Sequence, residues 1–218
     1  MSTSEILRCT DLRVERSGQP IIRDTRLSVA AGTIVALSGP NGSGKTTLLE
    51  AIAGLIPTQA GEISLFGRPV RRMSAHERAG LGLRFVPDRA PVFPNLTIEE
   101  NFDLQKPRLD SSADVESVFS SFPFLSRNRQ KAGLLSGGER RILAVLCALR
   151  SAPKLLIIDE FSEGMQQSAI KGFVQEIRRL CQAGSACILV VHSPNFASDN
   201  GFEEWTIRSQ RVGSRPAV

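Results

Sequence analysis

The stretch Gly39-Pro40-Asn41-Gly42-Ser43-Gly44-Lys45-Thr46-Thr47 constrains this chain more than any other. It reads G-x-x-x-x-G-K-T, a phosphate-binding loop that needs a strand before it and a helix after it. Both flanks are present. Thr33-Ile34-Val35-Ala36-Leu37 is a continuous apolar run, as expected of a parallel strand covered on both faces. Leu48, Leu49, Ile52 and Ala53 then fall on one side of a helix that Gly54 is placed to end. A polyphosphate must lie against backbone, so side chains at Gly42 and Gly44 are expected to obstruct it. Successive backbone N–H groups make an anion-binding nest, and the helix starting near Lys45 adds its positive dipole end. Lys45 is placed to reach the β- and γ-phosphates, Thr46 to offer its hydroxyl to Mg²⁺, and Thr47 to touch the α-phosphate side.

A chain of 218 residues accommodates one α/β domain, or one with a small insertion. The net charge of +5 fits nucleic acid, an anionic membrane face or simply a mildly basic surface, and the scattered basic residues favour the last. Cys9, Cys147, Cys181 and Cys187 form no C-x-x-C pair and lack ligand spacing with His76 or His192, so reduced structural thiols are expected. The first residues show no basic, then apolar, signal-peptide pattern. Runs such as Cys187–Val191 are too short to cross a bilayer, so any membrane role is expected to come through a partner.

Along the chain, residues 6–14 and 21–29 read as strands joined by a turn at Ser17-Gly18-Gln19-Pro20. Nucleotide-binding folds of this type often stack an aromatic on adenine from this strand pair. Here Arg16 stands in that place, either stacking its guanidinium on the base or solvated in the turn. Pro57–Gly61 turns into a strand at Glu62–Gly67, and Ser74 with Glu77 has the spacing of a capping box, with His76 an exposed helix residue. Leu81–Val86 reads as the next strand. Residues 88–134, punctuated by Pro91, Pro94, Pro107 and Pro123, read as a small helical insertion with a short helix from Thr97 and another around 113–121. Phe93, Leu96, Ile98, Phe102 and Leu104 form an apolar cluster that is either core or a groove for another protein's helix.

Leu135-Ser136-Gly137-Gly138-Glu139 opens a further helix, with Ser136 and Glu139 as a capping box and Ile142, Leu143, Val145, Leu146 and Leu149 at helical spacing. Two glycines at a helix start cost helix stability but expose bare N–H groups, which makes a second anion site. Leu155–Ile158 is a buried strand that ends in Asp159-Glu160, at the edge where parallel sheets bind ligands. Asp159 suits Mg²⁺ through a water, and Glu160 suits the base that orients or activates an attacking water. An amphipathic helix over Ser168–Leu180 leads to the strand Cys187–Val191, which delivers His192 at its C-terminal end, in reach of a γ-phosphate. Gly201–Val212 reads as a terminal hairpin, and residues 213–218 as frayed.

The order of these stretches (loop 39–47, L-S-G-G-E at 135–139, Ile157–Glu160 and His192) resembles the nucleotide-binding subunit of ABC transporters over nearly the whole chain. The resemblance implies a P-loop NTPase, α/β fold. It would have a parallel-sheet core, an N-terminal antiparallel β subdomain and a small helical subdomain, in a single ATP-binding domain over 1–218 with its helical insertion at about 88–150. It implies that Leu135–Glu139 is the signature motif, Asp159 the Walker B aspartate, Glu160 the catalytic glutamate and His192 the switch histidine. Asp88 falls where the group's glutamine loop binds near Mg²⁺ and the attacking water. The expected cofactors are ATP and Mg²⁺. The expected partners are a second ATPase subunit arranged head to tail, with Ser136, Gly137 and Gly138 donating across the interface, and separate integral membrane permease subunits. Nucleic acid is not expected as a partner. That assembly would sit on the cytoplasmic, inner face of the cell membrane.

Val86-Pro87-Asp88 and Val92-Phe93-Pro94-Asn95-Leu96-Thr97-Ile98-Glu99-Glu100-Asn101 look like the branched-chain amino acid and urea/amide uptake group, as does Glu163-Gly164-Met165-Gln166-Gln167-Ser168. Phe161 departs from the proline that normally follows the glutamate, Gln166 replaces the common aspartate, and Asp88 is shorter than glutamine. The rival readings are an ABC-type ATPase acting on nucleic acid or ribosomes, whose tandem cassettes, coiled coils or zinc modules are not seen here, and a cassette that binds nucleotide but barely hydrolyses it.

Overall fold

The computed structural model describes residues 4–89, 92–104, 122–193 and 195–215. Its first layer is antiparallel. Strands β1 (Glu5–Arg16) and β2 (Gln19–Ala30) form a long hairpin. Only Ser17 and Gly18 make its turn, at φ of 52° and 76°, the doubly left-handed geometry whose twist suits adjacent strands. Gln19 and Pro20, expected in the turn, are already paired with Arg16 and Glu15. Strands β3 (Ile34–Ser38), β4 (Ala60–Leu65) and β5 (Arg68–Pro69) follow, and β4 and β5 extend this first sheet in the order β2-β1-β4-β5.

The main sheet runs β10-β9-β3-β8-β7-β6, where β6 is Leu83–Val86, β7 Leu155–Ile158, β8 Ala186–Val190, β9 Glu203–Arg208 and β10 Arg211–Arg215. Strands β9 to β6 pair in parallel and β10 turns back antiparallel. The C-terminal hairpin is therefore present, but its first strand is also a parallel neighbour of β3. Residues 213–215 lie in β10 rather than frayed, because they pair with Thr206, Trp205 and Glu204.

Alternation across the pleat explains the unbroken apolar runs. Ala36, Leu156, Ile158, Cys187 and Leu189 face one core, shared with helices α4 (Gly137–Arg150) and α5 (Gln167–Gln182). Their neighbours Val35, Leu37, Leu155, Ile157, Ile188 and Val190 face the other, shared with α1 (Lys45–Ala53) and the antiparallel sheet. A strand covered on both faces has no polar side to show. The cysteines Cys9, Cys147, Cys181 and Cys187 are buried and free. Burial pushes the Cys9, Cys147 and Cys181 thiols up to about 12, so they act as packing residues. Among the described residues, no helix is long and apolar enough to cross a membrane.

One helix differs at its end from the sequence reading. Leu81 closes α2 (Ala75–Leu81) instead of opening β6, because Gly82 at φ 115° breaks the helix there. Ser74 and Glu77 do form the expected capping box. In the insertion, α3 (Ile98–Asp103) carries a second capping box between Thr97 and Glu100. Buried Asn101 pins the loop ahead of it, accepting from Phe93 N–H at 2.7 Å and donating to the Phe93 and Thr97 carbonyls at 3.0 and 2.9 Å. The apolar cluster read here divides. Ile98 and Phe102 are core, whereas Phe93 and Leu104 are 57% and 55% exposed. The helix expected around 113–121 lies outside the described residues.

The helix behind the phosphate loop is tied down at its far end by a buried arginine. Arg78 Nη1 donates to the Ala51 and Ile52 carbonyls, each at 2.8 Å, and Nε to Met73 at 3.2 Å. A cation at a helix C-terminus also meets the negative end of the dipole. Arg78→Ala leaves buried carbonyls unpaired and is expected to cost about 2–3 kcal/mol. The urea midpoint checks this, and a change below about 0.5 kcal/mol would contradict the anchoring.

Candidate functional site

The loop 39–47 folds as a nest whose glycines serve different needs. Gly39 at φ 147° lies so close to β9 that a Cβ would come within 2.9 Å of the Ile207 carbonyl. Gly44 is the residue ahead of α1, at φ 102°, and a Cβ there would meet Ile21 of β2 at 2.7 Å. Gly42, at φ 75°, has open space around its would-be Cβ. Its requirement is conformational, and the steric one at Gly44 comes from the β2 hairpin, in addition to any room a phosphate needs. No side chain caps α1, which leaves its first N–H groups directed at an anion.

Lys45 is buried and folds back on its own loop, donating to the Gly39 and Pro40 carbonyls at 2.9 and 3.1 Å. Thr46 Oγ1 donates to Asp159 Oδ2 at 2.7 Å, which joins the loop after β3 to the end of β7. Asp159 is fully buried, and its Oδ1 has no hydrogen-bond partner among the described residues. A lone buried carboxylate oxygen beside a threonine hydroxyl is a hard-oxygen pair of the kind Mg²⁺ takes, so these two residues fit the ion.

Glu160 follows at φ 52°, a left-handed conformation that a non-glycine residue adopts at a cost. Its Oε2 touches His192 Nε2. Glu160, Glu163 and His192 bring one ligand atom each to within 4.8 Å of one another. Phe161, standing where a proline is usual, is fully buried against Phe196 at a centroid distance of 5.9 Å. Its N–H bonds the Val190 carbonyl at 2.9 Å, a bond that proline could not donate. The departure at Phe161 therefore holds Glu160 beside the end of β8, from which His192 comes.

Gly42, Gly44, Lys45, Thr46, Glu160, Glu163 and His192 line one cleft of about 500 Å³, with the buried Asp159 behind Thr46. Arg16 lines its rim and bonds Glu50 Oε2 at 3.1 Å. The guanidinium is thus neither free in solvent nor buried, and is placed beside the loop where a base could lie. Asp88 is exposed and does not line this cleft.

The second glycine pair stands elsewhere. Ser136 Oγ accepts from Glu139 N–H at 3.2 Å, while Glu139 Oε2 accepts from Ser136 N–H at 2.8 Å and Oε1 from Arg127 at 2.5 Å. These bonds, first those to Ser136, hold the Glu139 carboxyl below its usual range. Gly137 has open space at its would-be Cβ, so it exposes backbone as expected. Gly138 has a different reason, since a Cβ there would fall 2.6 Å from the Gly164 carbonyl. Ser136, Gly138 and Glu139 line a cleft of about 950 Å³ with Gly164 and Gln166, and none of them lines the Lys45 cleft.

Sequence reading missed Arg141. It is 5% exposed, and its guanidinium donates to the carbonyls of Pro87, Asp88 and Asp159. Burial pushes its pKa down, opposed by the carboxylates of Asp88, Asp159, Glu160 and Glu163. The available signal was its spacing. It lies four and seven residues before Val145 and Ala148, on the buried stripe of α4.

A two-sheet α/β fold, a phosphate nest facing Asp159, Glu160 and His192, and a capped glycine pair elsewhere define the ABC ATPase class of P-loop NTPases. The comparisons agree. The model of the ABC transporter family matches residues 22–163, and the chain belongs to that family. A probable ABC transporter ATP-binding protein from Azorhizobium caulinodans is 32% identical over 81% of this chain and 64% of its own length. A probable branched-chain amino acid transport ATP-binding protein, LivF, from Archaeoglobus fulgidus is 35% identical over 71% and 67%. A lipopolysaccharide export system ATP-binding protein, LptB, from Acidithiobacillus ferridurans is 29% identical over 87% and 81%. A solved ATP-binding subunit of an ABC transporter superposes with a TM-score of 0.85, covering 96% of this chain and 90% of that one at 25% identity. The chain thus spans about two thirds of the length of the first of these curated relatives.

Lys45→Ala removes the cation from the nest. Charge-assisted bonds to phosphate are worth about 1.5–3 kcal/mol, so ATP is expected to bind about 10- to 100-fold more weakly. Titration with a fluorescent ATP analogue checks this, and unchanged affinity would overturn the assignment of the loop.

Proposed function

We propose that this chain hydrolyses ATP as one half of a head-to-tail dimer and powers solute transport through separate membrane permease subunits. The observation that carries the reading is the division of the site. The Lys45 cleft has Glu160, His192 and the Thr46 of the metal-fitting pair, yet no donor from Ser136 or Gly138, which line a different cleft. A second copy turned head to tail would set its Ser136, Gly137 and Gly138 over the γ-phosphate. ATP would then hold the subunits together, and loss of the γ-phosphate contacts would release them.

The roles follow from placement. Backbone N–H groups of 39–47 cradle the phosphates, and Lys45 leaves its loop carbonyls to pair with the β- and γ-oxygens. Thr46 and Asp159 would hold Mg²⁺, which would supply neutralisation of the charge developing on those oxygens. Glu160 orients and deprotonates the attacking water, and His192, in contact with it, faces the γ-phosphate. Arg16 lies beside the base. Asp88, outside the cleft, reaches it only if its loop moves on closure.

The partner reading has its own support. Phe93 and Leu134 are 57% and 72% exposed. Their loops are laced together, with Gly133 N–H on the Pro94 carbonyl and Ala132 N–H on that of Leu96, both at 2.9 Å. A rigid apolar pair on the insertion suits a segment of a membrane subunit. Uptake of branched-chain amino acids, urea or amides is the cargo that the motifs at 86–101 and 163–168 favour, with LivF among the relatives. The LptB similarity names a different one. The assembly would sit on the inner face of the cell membrane, without nucleic acid.

One experiment covers both halves. Tagged Glu160→Gln chain, incubated with ATP and recovered from detergent-solubilised native membranes, is expected to carry a second cassette and an integral membrane protein. Recovery of a lone monomer, or of ribosomal or nucleic-acid partners, would overturn the proposal.

A further inference from the structure

Arg141 joins three parts of the molecule that the sequence keeps far apart. It projects from the second turn of α4, the helix that begins at the Ser136–Gly138 glycines. Its Nη1 reaches the Pro87 and Asp88 carbonyls, the latter at 2.8 Å, and its Nη2 reaches the carbonyl of Asp159. Pro87 and Asp88 follow β6, while Asp159 follows β7, its parallel neighbour, with Val86 opposite Ile158. The Asp159 N–H closes the same junction on the Val86 carbonyl at 2.9 Å. One planar side chain therefore spans two strand ends and fixes both to the glycine-bearing helix.

The chemistry needs arginine. Carbonyls that diverge from two strands require donors that also diverge in one plane, and a guanidinium presents them in a rigid fork. An ammonium group is a point charge at the end of a flexible stem and cannot span the same carbonyls at once. Burying a cation is expensive unless it is paired, and Arg141 lies among the carboxylates of Asp88, Asp159, Glu160 and Glu163. By contrast, among the described residues the preceding Arg140 reaches only the Leu135 carbonyl, just ahead of its own helix.

We infer that Arg141 is a positioning residue. It holds the Asp88 loop and the Asp159-Glu160 turn in one register with α4, so that a shift of the helical insertion is felt at the water-activating carboxylate. The inference concerns placement of the strand ends and stands on the bonds above; its effect on turnover rests on the ATPase reading.

The test uses Arg141→Lys and Arg141→Gln in the full chain, with Arg140→Gln as control. Hydrogen exchange of the nucleotide-free proteins is expected to speed at least 10-fold in peptides covering 86–89 and 159–163 for both Arg141 variants. Peptides of α1 and β3 should be unchanged, and Arg140→Gln should leave all of them alone. In Mg²⁺-free buffer, ATP affinity should stay within about twofold of the parent chain. The Mg²⁺ concentration giving half-maximal ATPase should rise at least fivefold, and kcat should fall at least 10-fold with KM for ATP unchanged. Parent-like exchange at both segments overturns the inference, as does uniform acceleration across the sheet, which would mark Arg141 as general support. If the parent chain itself shows no ATPase, the hydrolysis reading fails while the exchange result still decides the role of Arg141.

Discussion

A carboxylate folded wholly into the protein interior organises this site. Asp159 is fully buried at the end of β7, and one of its oxygens takes the Thr46 hydroxyl while the other has no partner among the described residues. An unpaired buried carboxylate oxygen is costly. A bound divalent cation would relieve that cost, so the apolar sheet that buries Asp159 also gives it a reason to take up a metal. The rest of the cleft depends on the same burial. The order β3-β8-β7 brings the phosphate loop to one edge with Asp159-Glu160 and His192, which lie more than a hundred residues further along the chain.

Strain adds to that arrangement. Glu160 sits at a positive φ because the chain must turn sharply off a buried strand while Phe161 goes back into the core and bonds Val190. The turn is over-determined on both sides, by Arg141 on the Asp159 carbonyl and by the Phe161 amide. A carboxylate held this way is pre-organised for the proposed role of base, with little reorganisation left for the moment of reaction. The same rigidity ties the glycine-bearing helix to these strand ends through Arg141, so in the proposed dimer Gly137 and Gly138, which do not line their own chain's Lys45 cleft, serve the other copy's site.

Much of this was legible in the sequence. The strand–loop–helix around 39–47, the capping boxes at Ser74 and Ser136, and the buried strands behind Asp159 and His192 all follow from local rules, namely spacing, propensity and apolar runs. Three other features did not show, and each depends on contacts between distant segments. The reason for Gly138 lies in the carbonyl of Gly164, and that of Gly44 partly in Ile21. The spacing of Arg141 places it on the buried stripe of α4, but the carbonyls it bonds are known only once the ends of β6 and β7 are seen beside it. The pairing of 213–215 likewise needed β9 in place, since nothing local marks that segment as a strand. Asp88 is the residue that the motif placed in the site and the folded chain leaves outside the cleft.

The central claim is that the site is shared between two chains, and complementation tests it most directly. Lys45→Ala disables the phosphate loop but keeps the glycine pair. Gly138→Val, whose side chain would collide with the Gly164 carbonyl, disables the glycine pair but keeps the loop. Each variant alone is expected to be inactive. A head-to-tail dimer formed from an equal mixture would contain one intact site, so ATPase activity should reappear on mixing, to roughly a quarter of the parent rate by simple pairing statistics and independent sites. Activity that stays absent in the mixture, with dimers present, would contradict a shared site.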